Sequence, residues 1–263
     1  IAFDFETTGL DHHNDRIIEV AAIKFVDGEI TDRYVELVNP EMNIPAIITE
    51  ITGISDSMVR SSPSEELIID DLLSFIGDHP LVAHNIHFDQ NFLSQLCKRL
   101  GRDMVNNAQY DTLQLARSVF FDQPVFNLSA LSEYFGLSSK GAHRAEKDTE
   151  NTGLIFLELI TEVSKYPLKV ISKVNSMIKG SSIPNQTLYV NLGNELTKMG
   201  DLKSGLLEFD EPRISRPNTY SHTGENDIQN ISSEQVFEDD GLLSKSHPNF
   251  ESRPNQNRYA QMV

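Results

Sequence analysis

The chain opens with apolar residues interleaved with acids, Ile1-Ala2-Phe3-Asp4-Phe5-Glu6, and runs into Thr7-Thr8-Gly9, a strand that ends in a turn. Arg16 to Phe25 and Ile30 to Val38 are rich in β-forming residues and meet at Asp27-Gly28, a strong hairpin signal. Ser62-Pro63-Ser64-Glu65 combines an N-cap serine, a proline at the first helical position and a glutamate at the third, so a helix is expected to start there. Its core face would carry Leu67, Ile68, Leu72 and Phe75, and Gly77 would stop it. Pro80 to Ala83 predicts a short buried strand, with Asp89 just past it. Phe88, Phe92, Leu96 and Leu100 then recur at helical spacing until Gly101. Asp111 to Val119 and Leu128 to Phe135 predict two short helices, the first with Asp111 as its N-cap. Ala145 to Val163 predicts the longest helix, apolar at Ile155, Leu159 and Val163. A hairpin followed by strands alternating with helices predicts an α/β domain with a mixed central sheet.

That organisation ends near residue 165. Beyond Pro167 the periodicity weakens, although Leu168 to Ile178 predicts one more, lysine-bearing helix. Leu192 to Asp201 faintly resembles the first helix of a tetratricopeptide repeat, but a single such unit cannot bury its own face. Residues from about 210 to 235 are polar, rich in Ser, Asn, Thr, Glu and Pro, and read as a flexible linker. The expected division is a domain over 1–165, a variable connector over 166–235 that is helical in part, and a further segment over 236–263.

Composition narrows the function classes. A net charge of −17 argues against a protein that grips nucleic acid through bulk basicity. It leaves a nuclease open, because bound divalent cations invert the local field. Cys97 is the only cysteine, so a disulfide framework or a cysteine-rich zinc module is ruled out, and a small buried apolar role in a helix is expected. No segment approaches the ~18 apolar residues of a membrane span and no signal-peptide pattern opens the chain, so a cytoplasmic protein with no membrane partner is expected. Ile1 lies inside an apparent strand and Tyr259 to Val263 carry no terminating pattern, so a fragment of a longer protein is expected.

The chemistry concentrates in four carboxylates and a histidine. Asp4 and Glu6, at i and i+2 on a strand, share one face and are poorly placed for burial unless cations neutralise them. Asp89 in His84-Asn85-Ile86-His87-Phe88-Asp89, and Asp148 in His143-Arg144-Ala145-Glu146-Lys147-Asp148, would complete a set of hard oxygen ligands for two Mg²⁺ or Mn²⁺ ions. Two cations roughly 3.5–4 Å apart can activate a water and neutralise the charge building on a phosphodiester's leaving oxygen. His143, whose ordinary pKa lies near neutrality, would be the general base. Blander readings exist for each residue: a solvated strand end for Asp4 and Glu6, a macrodipole-favoured helix start for Asp89, a loop position for His143. Phe88 is as well suited to core packing as to a base. His84, His87 and Asp89 suggest zinc, but no compact ligand set completes them, and His12-His13 read as an exposed loop.

These three segments resemble the three exonuclease motifs of the DEDDh, or DnaQ-like, family of 3′–5′ exonucleases. Asp4-x-Glu6-Thr7-Thr8-Gly9 is similar to the first motif, Asn85-x-x-Phe88-Asp89 to the second and His143-x-Ala145-x-x-Asp148 to the third. Their order and separation over about 165 residues fit as well. The resemblance implies an RNase H-like fold with a mixed five-stranded sheet flanked by helices. It implies that Asp4, Glu6 and Asp148 hold the metal that activates water, that Asp4 also holds the second metal with help from Asp89, and that His143 is the base. Thr7, Thr8 and Gly9 would offer backbone contacts to the terminal nucleotide, with Asn85 and Phe88 beside it. The implied product is a nucleoside 5′-monophosphate released from a single-stranded DNA 3′ end, with RNA as the other candidate substrate.

A second resemblance lies in the last segment, where Phe237 to Gly241, Leu242-Leu243 and Phe250 to Gln256 are similar to the start of the helicase domain of DinG-type proteins. Arg253-Pro254-Asn255-Gln256 would be the element that precedes the first ATPase motif. No G-x-x-x-x-G-K-[ST] occurs, so the chain as given is not an ATPase and the helicase domain would lie beyond it. The leading expectation is the exonuclease part of a DinG-like helicase in DNA repair or replication. A proofreading exonuclease of the polymerase III ε type, or an RNA-directed relative, is the alternative. A catalytically silent nucleic-acid-binding module is the second alternative.

Overall fold

The computed structural model describes residues 1–120, 123–138 and 144–203. His143 therefore lies outside the described residues, as do the expected linker over 210–235 and the helicase-like segment over 236–263.

Five strands form one sheet in the order β3-β2-β1-β4-β5. They are β1 (Ala2–Thr7), β2 (Ile17–Val26), β3 (Glu29–Leu37), β4 (Leu81–Ala83) and β5 (Gln109–Asp111). β1, β2 and β3 pair antiparallel, whereas β4 lies parallel to β1 and β5 parallel to β4, so the sheet is mixed as expected. The β2–β3 turn puts Asp27 at φ 53° and Gly28 at φ 86°, the left-handed pair that an Asp-Gly hairpin supplies.

Alternation along β1 divides the interior. Phe3 and Phe5 enter a core with Ile69 and Leu72 of α3 (Glu65–Ile76) and with Phe92, Leu93 and Leu96 of α4 (His87–Arg99). Ala2 and Val82 face the opposite layer, with Leu115 of α5 (Thr112–Val119), Leu131 of α6 (Leu128–Tyr134), and Ile155 and Leu159 of α7 (Ala145–Ser164). Tyr110 of β5 stacks on Phe156 of α7 at 5.2 Å between ring centroids. Cys97 is fully buried in α4. Two short helices the hydrophobic pattern does not predict, α1 (Ala46–Thr52) and α2 (Asp56–Val59), flank a small third core around Ile18, Ile44, Ile54 and Val59.

One expected helix start and its core face are corrected. α3 begins at Glu65, and its N-cap Ser64 makes no side-chain capping bond. Pro63 is held outside the helix because its carbonyl accepts the Asn39 N–H at 2.8 Å, with Asn39 and Ser64 forming an isolated bridge. The buried stripe is consequently Ile68, Ile69, Leu72 and Ile76, and Leu67 is 70% exposed. Glu65 is a buried acceptor for the Ile17 N–H at 3.1 Å and pairs with Arg99 at 2.6 Å.

After α7 the chain forms α8 (Leu168–Ile178) and α9 (Gln186–Lys203). Ile171, Leu188, Tyr189, Leu192 and Leu196 pack on the α7 layer, so the repeat-like stretch from Leu192 partly buries its apolar face against that layer. Among the described residues no helix is long and apolar enough to cross a membrane.

Candidate metal and catalytic site

β1 outruns its parallel neighbour. The two strands pair in register only at Ala2↔Val82, and β4 ends at Ala83, so the far half of β1 has an open edge. Asp89, in the first turn of α4, fills that gap: its Oδ1 accepts the Phe5 N–H at 3.0 Å while the residue is 1% exposed. Asp4 and Glu6 alternate with Phe3 and Phe5 and so face the α7 side of the sheet. Asp148, in the first turn of α7, meets them there. One oxygen each of Asp4, Glu6 and Asp148 lie within 4.8 Å of one another, the only such group of potential ligands among the described residues.

An ion pair between a buried glutamate and a half-exposed arginine, which the sequence reading missed, braces this arrangement. Glu19 of β2 sits opposite Glu6 in the antiparallel register and is 1% exposed. Its carboxylate accepts from Arg144 Nε at 3.1 and 3.2 Å, from Arg144 Nη2, and from the Ala145 N–H at 2.9 Å. Glu19 thereby ties the first residue of α7 to the strand beside β1, which sets where Asp148 stands. The available signal was a lone acid inside the apolar run Ile17-Ile18-Glu19-Val20-Ala21-Ala22.

Electrostatics shows what the site needs. Burial, then Asp148 and Glu19, push the Asp4 carboxyl up to about 7. Burial, then Asp4, Asp148 and Glu19, push Glu6 up to about 9, against a smaller downward pull from Arg144. Asp89 is raised well above the ordinary range by burial and by Asp4, although the Phe5 N–H favours its charged form. Carboxylates crowded this way repel one another unless cations lie between them, and an all-oxygen set of partly buried acids suits hard divalent ions. The residues present fit such a group.

The surrounding loops hold their shape through local bonds. Thr7 Oγ1 donates to the Gly9 carbonyl at 2.6 Å. Thr8 is 1% exposed; its Oγ1 donates to Asp15 Oδ1 and accepts the Arg16 N–H, both at 3.0 Å. A Cβ at Gly9 would fall on the Asp15 carboxylate, so this turn has no room for a side chain there. Asn85 is exposed with φ 67°, and its N–H donates to Asp111 Oδ1 at 3.2 Å. Asp111 also caps α5 through the Leu113 and Gln114 N–H groups, the N-cap role expected of it. Phe88 is half-buried and packs 5.0 Å from Phe92, ring centroid to centroid, so it serves the core and keeps one side open. His84 Nδ1 pairs with Thr112 Oγ1 at 2.9 Å and His87 is exposed; neither joins Asp89 in a ligand cluster.

Comparison with known proteins gives the chain's family and fold. The profile of the RNase_T family, described as exonuclease, matches residues 1–156. A PolC-type DNA polymerase III from Caldanaerobacter subterraneus subsp. tengcongensis is 37% identical over 178 residues, covering 68% of this chain and 13% of that protein. The 3′-5′ exonuclease DinG of Bacillus subtilis is 34% identical over 178 residues, covering 67% of this chain and 19% of that protein. The chain thus matches only a small part of these relatives' length. Among solved structures, the zinc-bound complex of E. coli exonuclease I with single-stranded DNA has a TM-score of 0.58 at 19% identity, over 66% of this chain and 42% of that one. A complex of the same enzyme with a dA16 oligonucleotide gives 0.55 at 20% identity, over 61% and 40%. These structures share the fold.

Proposed function

The chain belongs to the exonuclease family, and on that premise we propose that it is a 3′–5′ exonuclease that removes nucleoside 5′-monophosphates from the 3′ ends of single-stranded DNA with two bound divalent cations. The observation that carries the reading is the meeting of Asp4 and Glu6 with Asp148 in one partly buried group, with Asp89 bonded to the same strand. Divalent cations, when bound, supply a more acidic water and neutralise charge on the phosphate oxygens. Asp4, Glu6 and Asp148 would hold the ion on the water side, and Asp4 with Asp89 the other. Mg²⁺ suits these hard oxygens, and Mn²⁺ is its ready substitute. His143 takes the proton of the attacking water, a role matched to its ordinary pKa. Gly9 offers its backbone to the terminal nucleotide, while Thr7 and the buried Thr8, whose N–H donates to the Arg16 carbonyl at 2.8 Å, shape the turn beneath it, and Asn85 and Phe88 lie beside that nucleotide. The Gly9 turn, closed against Asp15, supports this by presenting the backbone without a side chain in the way.

The larger protein is a DinG-like nuclease with its helicase domain beyond this segment. Similarity to the B. subtilis DinG exonuclease and the Arg253-Pro254-Asn255-Gln256 element favour that context. The 37% identity to a PolC-type polymerase supports a second reading, proofreading within a polymerase. The test is degradation of 5′-labelled and 3′-labelled single-stranded DNA and RNA with Mg²⁺, Mn²⁺ or EDTA. The 3′ label should leave at once as a mononucleotide while the 5′-labelled strand shortens stepwise, with no reaction in EDTA. Persistence of activity in EDTA or in Asp4→Ala would falsify the metal-dependent mechanism.

A further inference from the structure

β5 ends the sheet with an open outer edge, and one residue from beyond the family match occupies part of it. The Asn185 N–H donates to the Gln109 carbonyl at 2.9 Å. Its side-chain Oδ1 accepts the Asp111 N–H at 2.9 Å, and its Nδ2 donates to the Asp111 carbonyl at 3.0 Å. Its own carbonyl accepts the Tyr189 N–H at 3.1 Å, which joins it to α9. Asn185 is 3% exposed and has φ 67°, a backbone state that asparagine tolerates better than most residues. It thus supplies on β5 the bonds that a sixth strand would make.

Asp111 carries this constraint inward. The same Oδ1 that caps α5 accepts the Asn85 N–H, and Asn85 is the left-handed residue at which β4 turns towards α4. α4 carries Phe88 and Asp89, and Asp89 closes on the Phe5 N–H of β1. Hydrogen bonds from Asn185 to Asp111 and from Asp111 to Asn85, continued through the chain from Asn85 to Asp89, therefore link the α8–α9 segment to β1.

The geometry points to Asn185 as a positioning residue for the 3′-terminal nucleotide, acting through Asp111 and the Asn85 turn, so that the helices following the nuclease core set one wall of the substrate cleft. This rests on reading Asn85 and Phe88 as substrate contacts.

The test uses the full chain as wild type, Asn185→Ala, Asn185→Asp and Tyr189→Phe. Tyr189→Phe removes the 3.0 Å contact between Ser118 Oγ and the Tyr189 hydroxyl, loosening α9 without touching Asp111. With 5′-labelled single-stranded DNA and Mg²⁺, Asn185→Ala should raise KM about three- to tenfold, the scale of one or two buried hydrogen bonds, while kcat changes less than about twofold. Asn185→Asp keeps the acceptor for the Asp111 N–H and should fall between, and Tyr189→Phe should match wild type. Mn²⁺ binding at the Asp4, Glu6 and Asp148 group without DNA should be unchanged, because these three stand on β1 and α7, whereas any weakening should be confined to the second ion, which Asp89 would help hold. Amide hydrogen exchange over residues 84–89 should quicken in Asn185→Ala and not in Tyr189→Phe. That readout needs no activity, so an inactive wild type would defeat the functional reading and leave the coupling measurable. Unchanged exchange at 84–89 with unchanged KM in Asn185→Ala overturns the proposal, as does an equal KM rise in Tyr189→Phe. Should Asn185→Ala fail to fold, Asn185→Asp carries the same comparison.

Discussion

Asp4 and Glu6 are two positions apart on one strand, yet their surroundings hold them at different values, about 7 and about 9. Both lie above the ordinary carboxylate range, so the metal-free folded state holds protons that the unfolded chain releases. Below that range both states are protonated and the groups cost nothing. As pH rises the cost grows, and it is complete above about 9. Stability of the metal-free protein should therefore fall between pH 5 and pH 9, and Mg²⁺ should raise Tm more at pH 9 than at pH 5, as thermal unfolding with and without the ion would show. A second outcome follows from the same crowding. If Asp148 is a metal ligand as proposed, Asp148→Asn should lower kcat sharply, yet its metal-free Tm at pH 8 should equal or exceed that of wild type, because one like charge is gone. A lower Tm would mean that Asp148 contributes stability outweighing its repulsion of Asp4 and Glu6. Glu19 could not be placed in this group from spacing alone. Its partner Arg144 stands 125 residues away in sequence, and only the β2–α7 packing brings them together.

At the scale of elements, legibility tracked the length and regularity of the apolar pattern. The β2–β3 hairpin and α7 were readable because each repeats its period several times, and Asp27-Gly28 fixes the turn chemistry. β5 spans three residues, Gln109 to Asp111, too few to display a period. α3 was displaced because Pro63, a favoured first helical residue, is instead engaged by Asn39 through a contact that only tertiary structure reveals. Local sequence likewise gave no sign that the Glu65 side chain would reach beyond its own helix to accept from Ile17 and Arg99. Glu65→Ala removes both bonds and leaves a buried N–H and a guanidinium without their acceptor. The loss should be about 2–3 kcal/mol of unfolding free energy by urea titration at unchanged m-value. A loss under about 0.5 kcal/mol would place these bonds with ordinary surface contacts.

Over the whole molecule, charge and function pull in opposite directions. On the proposed function a chain with net charge −17 meets a polyanion, and Arg144, which stands beside the site, is already bound to Glu19. Affinity for DNA should therefore depend on divalent cations more than on lysine and arginine. Binding of single-stranded DNA by Asp148→Asn should be weak, and for wild type with Ca²⁺ the slope of log K against log salt should stay below about 3 in magnitude. A steep slope would reveal a basic track elsewhere on the protein. The motifs around Asp4, Asp89 and Asp148 made the fold and the acidic site legible at this scale, whereas Asn185, from which the path to Asn85 starts, lies outside those motifs. The central claim is that the acids on β1 and α7 form a divalent-metal site, and anomalous scattering from crystals soaked in Mn²⁺ tests it most directly. A strong peak is expected within coordinating distance of Asp4, Glu6 and Asp148. A map with no peak there, or with its strongest peak at another cluster, would contradict it.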